Sequence, residues 1–126
     1  MIRLALKAKG YQNITIISDS EIGCGLPNGD YRLGDRRIIT VKDGLCVMKG
    51  TDSIAGGAMS MADSAKNLFR MGVPPEQIAV MASSNPAKVC GCDDRGRLIP
   101  GCRADIVIFD KDFNVKTVFL KGKEVK

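Results

Sequence analysis

Six residues, Ile14-Thr-Ile-Ile-Ser-Asp19, set the tightest limit on what this 126-residue chain can fold into. The β-branched run lies between Gly10 and the glycines of Glu21-Ile-Gly-Cys-Gly25, which predicts a buried strand over residues 14–18. Asp19 falls at its carboxyl end. A buried parallel strand that follows a helix and ends in an acid is how a barrel or a doubly wound sheet presents a catalytic group. A strand-end aspartate also caps the next turn through its own backbone. From the residue alone, both roles stand open.

The flanking sequence supplies the other elements. Residues 2–9 alternate apolar Ile2, Leu4, Ala5, Leu6 and Ala8 with Arg3, Lys7 and Lys9, which predicts an amphipathic helix ended by Gly10. No capping residue precedes it, so it reads as a helix cut from something longer. Residues 26–29 (Leu-Pro-Asn-Gly) signal a turn. Short strands are predicted over 30–33 and 37–41 about Gly34 and Asp35. Lys42-Asp-Gly44 predicts a tight hairpin turn into a strand over 45–48. Ser60 with Asp63 forms a capping box for a helix whose inner face carries Met61, Ala65, Leu68 and Phe69, and which stops at Gly72. Pro74-Pro75-Glu76 starts a second helix, with Ile78, Ala79, Met81 and Ala82 inward. Ser84-Asn85-Pro86 restarts a third, through Cys90. Strands over 104–109 and 115–120 and a short third one close the chain.

Composition removes several function classes. No apolar run approaches the ~20 residues of a membrane span, and lysines interrupt the first nine residues at helical spacing, so they are no signal peptide. The expected compartment is the cytosol. The net charge of +5 is scattered and only six residues are aromatic, which argues against a nucleic-acid surface. The five cysteines lack the spacing of a zinc knuckle, and the alternative is buried thiols acting as small hydrophobes. There is no histidine. Chemistry on this chain must therefore use Asp, Glu, Cys or Lys, or borrow groups from elsewhere.

Four segments carry a resemblance. Ile99-Pro-Gly-Cys-Arg-Ala-Asp-Ile-Val-Ile-Phe-Asp110 and Ser84-Asn-Pro-Ala-Lys88 resemble closing segments of the amidohydrolase superfamily. Ser18-Asp-Ser-Glu-Ile-Gly-Cys-Gly-Leu-Pro-Asn-Gly-Asp-Tyr31, taken with Gly50-Thr-Asp-Ser-Ile-Ala-Gly-Gly57, resembles the N-acetylglucosamine-6-phosphate deacetylases. The resemblance runs in order along essentially the whole chain and covers the C-terminal third of such an enzyme. It implies an α/β fragment of a metal-dependent (β/α)8 barrel hydrolase with strands of its small β-sandwich domain. Residues 1–20 would be the last barrel helix and strand, 21–57 a β-hairpin excursion lining the active site, 58–98 the C-terminal helices and 99–126 strands of the small domain.

By the same resemblance, Asp19 is the acid that takes a proton from the attacking water and passes it to the leaving amine. Ile54, Ala55 and Gly56 line the substrate pocket in a turn, with glycine at position 57 where the family usually has serine. The substrate would be N-acetylglucosamine 6-phosphate. The divalent metal of the complete enzyme, zinc or iron, has its ligands upstream, and none is expected on this chain. A lone strand over 14–17 would leave backbone groups unpaired, so the expected partner is the missing N-terminal barrel portion or a second copy. The isolated chain is expected to be inactive. A non-catalytic binding or assembly module derived from such an enzyme, marked by a buried Asp19 paired only with backbone, is an alternative. A fragment of another amidohydrolase is a further one.

Overall fold

The computed structural model describes residues 1–34 and 36–125; Asp35, expected in the turn before the second strand, and Lys126 lie outside the described residues. The chain is mixed α/β and divides into two compact units, Met1–Ile16 with Ala65–Lys126, and Ile17–Ser64. Among the described residues no helix is long and apolar enough to cross a membrane.

The first unit opens with α1 (Ile2–Lys9), whose last-turn Lys7 and Lys9 suit the negative end of the helix dipole. Gly10, at φ 72°, ends it and donates its N–H to the Leu6 carbonyl. A 3₁₀ turn, Tyr11–Asn13, follows. The predicted strand over 14–18 does not form. Those residues lie outside any sheet, and Ile17 is 73% exposed rather than buried. A strand is a pairing state: its N–H and C=O groups need a neighbour. Here Ile16 N–H reaches the Met81 carbonyl at 3.0 Å.

The helices are α2 (Met61–Arg70), α3 (Pro75–Ala79) and α4 (Asn85–Val89). The predicted capping box at the start of α2 is present and reciprocal: Ser60 N–H donates to the Asp63 carboxylate at 2.9 Å, and Asp63 N–H donates to Ser60 Oγ at 3.2 Å. The expected break at Ser84-Asn85-Pro86 is absent. A π-helical turn, Val80–Ser84, joins α3 to α4, and Ser84 and Asn85 keep right-handed helical angles. Pro86 has no N–H to donate and would crowd the carbonyl four residues back in a regular α-helix; the wider turn accommodates it. Ala65, Leu68, Val73, Ile78 and Met81 form the core, with Leu6, Tyr11, Ile14 and Ile16 packed against it. Ala79, expected inward, is exposed.

Asn85 ties the irregular segment to this core. Its Nδ2 donates to the carbonyls of Tyr11 at 2.8 Å and Ile14 at 2.6 Å. Asn85→Ala strands two part-buried acceptors and is expected to lower unfolding free energy by about 1–3 kcal/mol. A urea titration measures this, and Asn85→Asp, which also lacks the donors, should lose a similar amount.

Strands β5 (Ile106–Phe109), β6 (Val115–Leu120) and β7 (Lys123–Glu124) form an antiparallel sheet in that order. Asp105 anchors it, accepting from the Lys121 N–H at 2.9 Å and pairing with the Arg103 guanidinium. The Arg103 hydrogen bond, then the Lys121 N–H, hold its carboxyl below the usual carboxylate range. The sign follows: this stabilisation is complete above the ordinary aspartate value and is lost as pH falls through the depressed folded value. Below about pH 4 the Lys121 amide should lose protection relative to its intrinsic exchange rate, and Asp105→Asn should remove that acid dependence.

The second unit is a four-stranded antiparallel meander, β1 (Gly29–Arg32), β2 (Ile38–Lys42), β3 (Leu45–Met48) and β4 (Ile54–Gly57). Asp43 and Gly44, at φ 50° and 83°, turn β2 into β3 with both central residues left-handed, as a two-residue hairpin requires. Alternation along β2 sends Ile39 and Val41 inward against Cys46 of β3, and these three are the core. Asp30 pairs with Lys49 at 2.6 Å on the solvent face, where that bond and one from Thr40 keep its carboxyl low.

Candidate functional site

The candidate residues belong to the second unit and meet where the chain after residue 17 runs beside β4. Ser20 makes an isolated parallel bridge to Gly57. The Gly57 N–H donates to the Asp19 carbonyl at 2.6 Å, and the Glu21 N–H returns to the Gly57 carbonyl at 2.9 Å. Ser20 Oγ donates to the Met59 carbonyl at 2.5 Å. Asp19 itself has φ 48°, a left-handed conformation costing ~1 kcal/mol in an L-residue, though aspartate tolerates it better than most. Its side chain is exposed. Asp19 is thus no buried backbone-paired residue, the mark expected of a non-catalytic module.

Residues 54–57, expected as a turn, form edge strand β4, because Leu45, Cys46 and Val47 supply pairing partners. Gly56 is buried and has no room for a side chain: a Cβ there would lie 2.7 Å from the Asp19 carbonyl oxygen and 2.7 Å from Cγ of Glu21. A Cβ at Gly57 would lie 3.0 Å from the Ser18 carbonyl oxygen. Ile54 is 66% exposed and Ala55 half-buried. Both face an open cleft of about 550 Å³, together with Glu21, Leu33, Gly34, Arg37 and Met48. So the structure brings Asp19 and Gly56 into backbone contact, and puts Ile54 and Ala55 on the cleft wall.

Sequence reasoning missed Glu21, Leu33, Arg37 and Met48 as cleft residues. Leu33, Arg37 and Met48 carry no motif, and only the meander juxtaposes them. Glu21 gave a usable signal, since it is the one acid of the glycine-rich turn after Asp19. That turn packs on the core through Gly23, where a Cβ would lie 2.5 Å from Val41 Cγ2.

Among the described residues no three His, Cys, Asp or Glu side chains converge to hold a metal ion. The cysteines are free, and only Cys46 is the buried hydrophobe expected; Cys24 and Cys90 are exposed, because they fall on turns rather than inward strand positions. Burial pushes the Cys46 thiol up, away from the reactive thiolate.

Comparison with known proteins places these features in context. The model of the amidohydrolase family matches residues 33–125. The chain is 33% identical to an N-acetylglucosamine-6-phosphate deacetylase of Vibrio furnissii, over 89% of this chain and 28% of that protein. It is 30% identical to an N-acetylgalactosamine-6-phosphate deacetylase of Escherichia coli O157:H7, over 89% of this chain and 30% of that one. The crystal structure of N-acetylglucosamine-6-phosphate deacetylase from Thermotoga maritima superposes with a TM-score of 0.90 at 33% identity, covering all of this chain and 34% of that one. The chain therefore spans about a third of the length of these relatives.

Proposed function

Because the chain belongs to the amidohydrolase family, we propose that it is the C-terminal part of a cytosolic deacetylase that hydrolyses N-acetylglucosamine 6-phosphate to glucosamine 6-phosphate and acetate. In this reading residues 1–20 close a (β/α)8 barrel and residues 99–126 belong to a small β-sandwich domain. The observation that carries it is the exposed Asp19 carboxylate, held on left-handed backbone against Gly56-Gly57. A carboxylate so placed can accept the proton of the water attacking the acetamide and return it to the departing amine. Ile54 and Ala55 form one wall of the pocket, with the buried Gly56 packed against the Asp19 backbone beside them.

The zinc or iron that the resemblance implies does not fit this chain, which has no histidine and no converging donor set among the described residues. Its ligands belong to a barrel portion outside these residues. A second copy of the chain would add no histidine, so pairing with itself does not complete the site. The purified chain, supplied with zinc, should release no acetate above an Asp19→Asn control. A hybrid in which this chain replaces the matching third of the Thermotoga maritima enzyme should release acetate. A hybrid that folds but does not turn over would count against the reading. The relative that acts on N-acetylgalactosamine 6-phosphate supports one competing specificity, and assaying both sugar phosphates separates the two.

A further inference from the structure

Asp19 is held at its neighbours rather than by its own side chain. Its carbonyl accepts from Gly57, the Glu21 N–H donates to the Gly57 carbonyl, and between them Ser20 donates its hydroxyl to Met59. On the other side, Ser18 Oγ accepts from the Ser20 N–H at 3.3 Å. The peptide planes after Asp19 are thus pinned, and the change of direction falls on the φ of Asp19. Returning that φ to negative values would swing the Cα–Cβ bond, and with it the carboxylate, to another side of the chain. Gly56 makes the pinning possible, since any side chain there meets the Asp19 carbonyl oxygen.

We propose that Ser20 and Gly56 are positioning residues: they hold the Asp19 backbone left-handed and so aim its carboxylate. This deepens the deacetylase reading and rests on it. Neither residue need touch substrate. Ser20 is exposed and stands apart from the Ile39–Val41–Cys46 core, so its hydroxyl can be removed without opening that core. A misdirected acid still permits binding but not proton transfer, so the effect belongs in kcat rather than KM.

The test uses Ser20→Ala, Ser20→Thr and Gly56→Ala. On the isolated chain, NMR coupling constants and Cα shifts of Asp19 report whether φ is positive. In the hybrid enzyme, kinetics report its consequence. Expected is loss of the left-handed conformation in Ser20→Ala and Gly56→Ala, with kcat reduced roughly 10–100-fold, KM within about 2-fold, and recovery in Ser20→Thr. If Gly56→Ala fails to fold, the alanine and threonine variants of Ser20 still decide the matter. An unchanged Asp19 conformation in Ser20→Ala, or a changed one with full kcat, overturns the proposal while leaving the deacetylase reading intact. Full turnover by Asp19→Asn instead removes the catalytic role of Asp19, and the positioning role with it.

Discussion

Asp19→Asn in the hybrid enzyme is expected to lower kcat for acetate release by about 10²–10⁴-fold, the usual contribution of one general acid–base group. Asparagine keeps the size of the side chain and is among the residues that accept a left-handed backbone, so the φ of 48° should survive. It cannot take a proton from water. KM should change little, because the carboxylate acts on the transferred proton rather than on the bound sugar. The side chain is exposed, so stability should stay within about 0.5 kcal/mol of the parent. Equal melting temperatures with retained activity would refute the assignment; a lost fold would show instead that Asp19 is structural.

The largest stability effect is expected from Ile39→Ala, at about 2–5 kcal/mol. Ile39 is 0% exposed and lies on β2 against Val41 and Cys46, in a core of three buried side chains among the described residues. So small a core has little to collapse into the space left behind, which puts the cost at the upper part of that range. Ile39 Cδ1 also lies 3.4 Å from where a Cβ of Gly23 would stand, so the cavity opens directly beneath the 21–25 turn. Hydrogen exchange should therefore rise in β2, β3 and the Glu21 amide. Helix α3 and the part of α2 from Ala65 onward belong to the other compact unit and should keep their protection; equal loss there would mean that the two units unfold as one.

Local chemistry wrote several parts of this protein into its sequence. The Asp43-Gly44 turn needs two residues that accept positive φ, and the chain supplies them between alternating strands. Ser60 and Asp63 cap α2 because their spacing lets each satisfy the other's N–H. Gly10 ends α1 for a similar reason. Asp19 as the candidate acid rests on the family resemblance of residues 18–31, and the Asp19→Asn kinetics above are its test.

What tertiary structure decided depends on groups far apart in the chain. Residues 14–18 have strand composition but no strand partner among the described residues, and composition alone cannot supply the missing hydrogen bonds. The family resemblance implies a turn at residues 54–57, yet pairing with β3 makes them a strand, and passage of the Asp19 backbone is what forbids a side chain at Gly56. The cleft residues Glu21, Leu33, Arg37 and Met48 come together only through the meander. The left-handed turn at Asp19 belongs to the same class: no local motif demands it, and it accompanies hydrogen bonds of Asp19 to Gly57 and of Ser20 to Met59, some 40 residues away. Sequence offered Asp19 as the candidate acid; only the tertiary structure shows its backbone left-handed and hydrogen-bonded to Gly57.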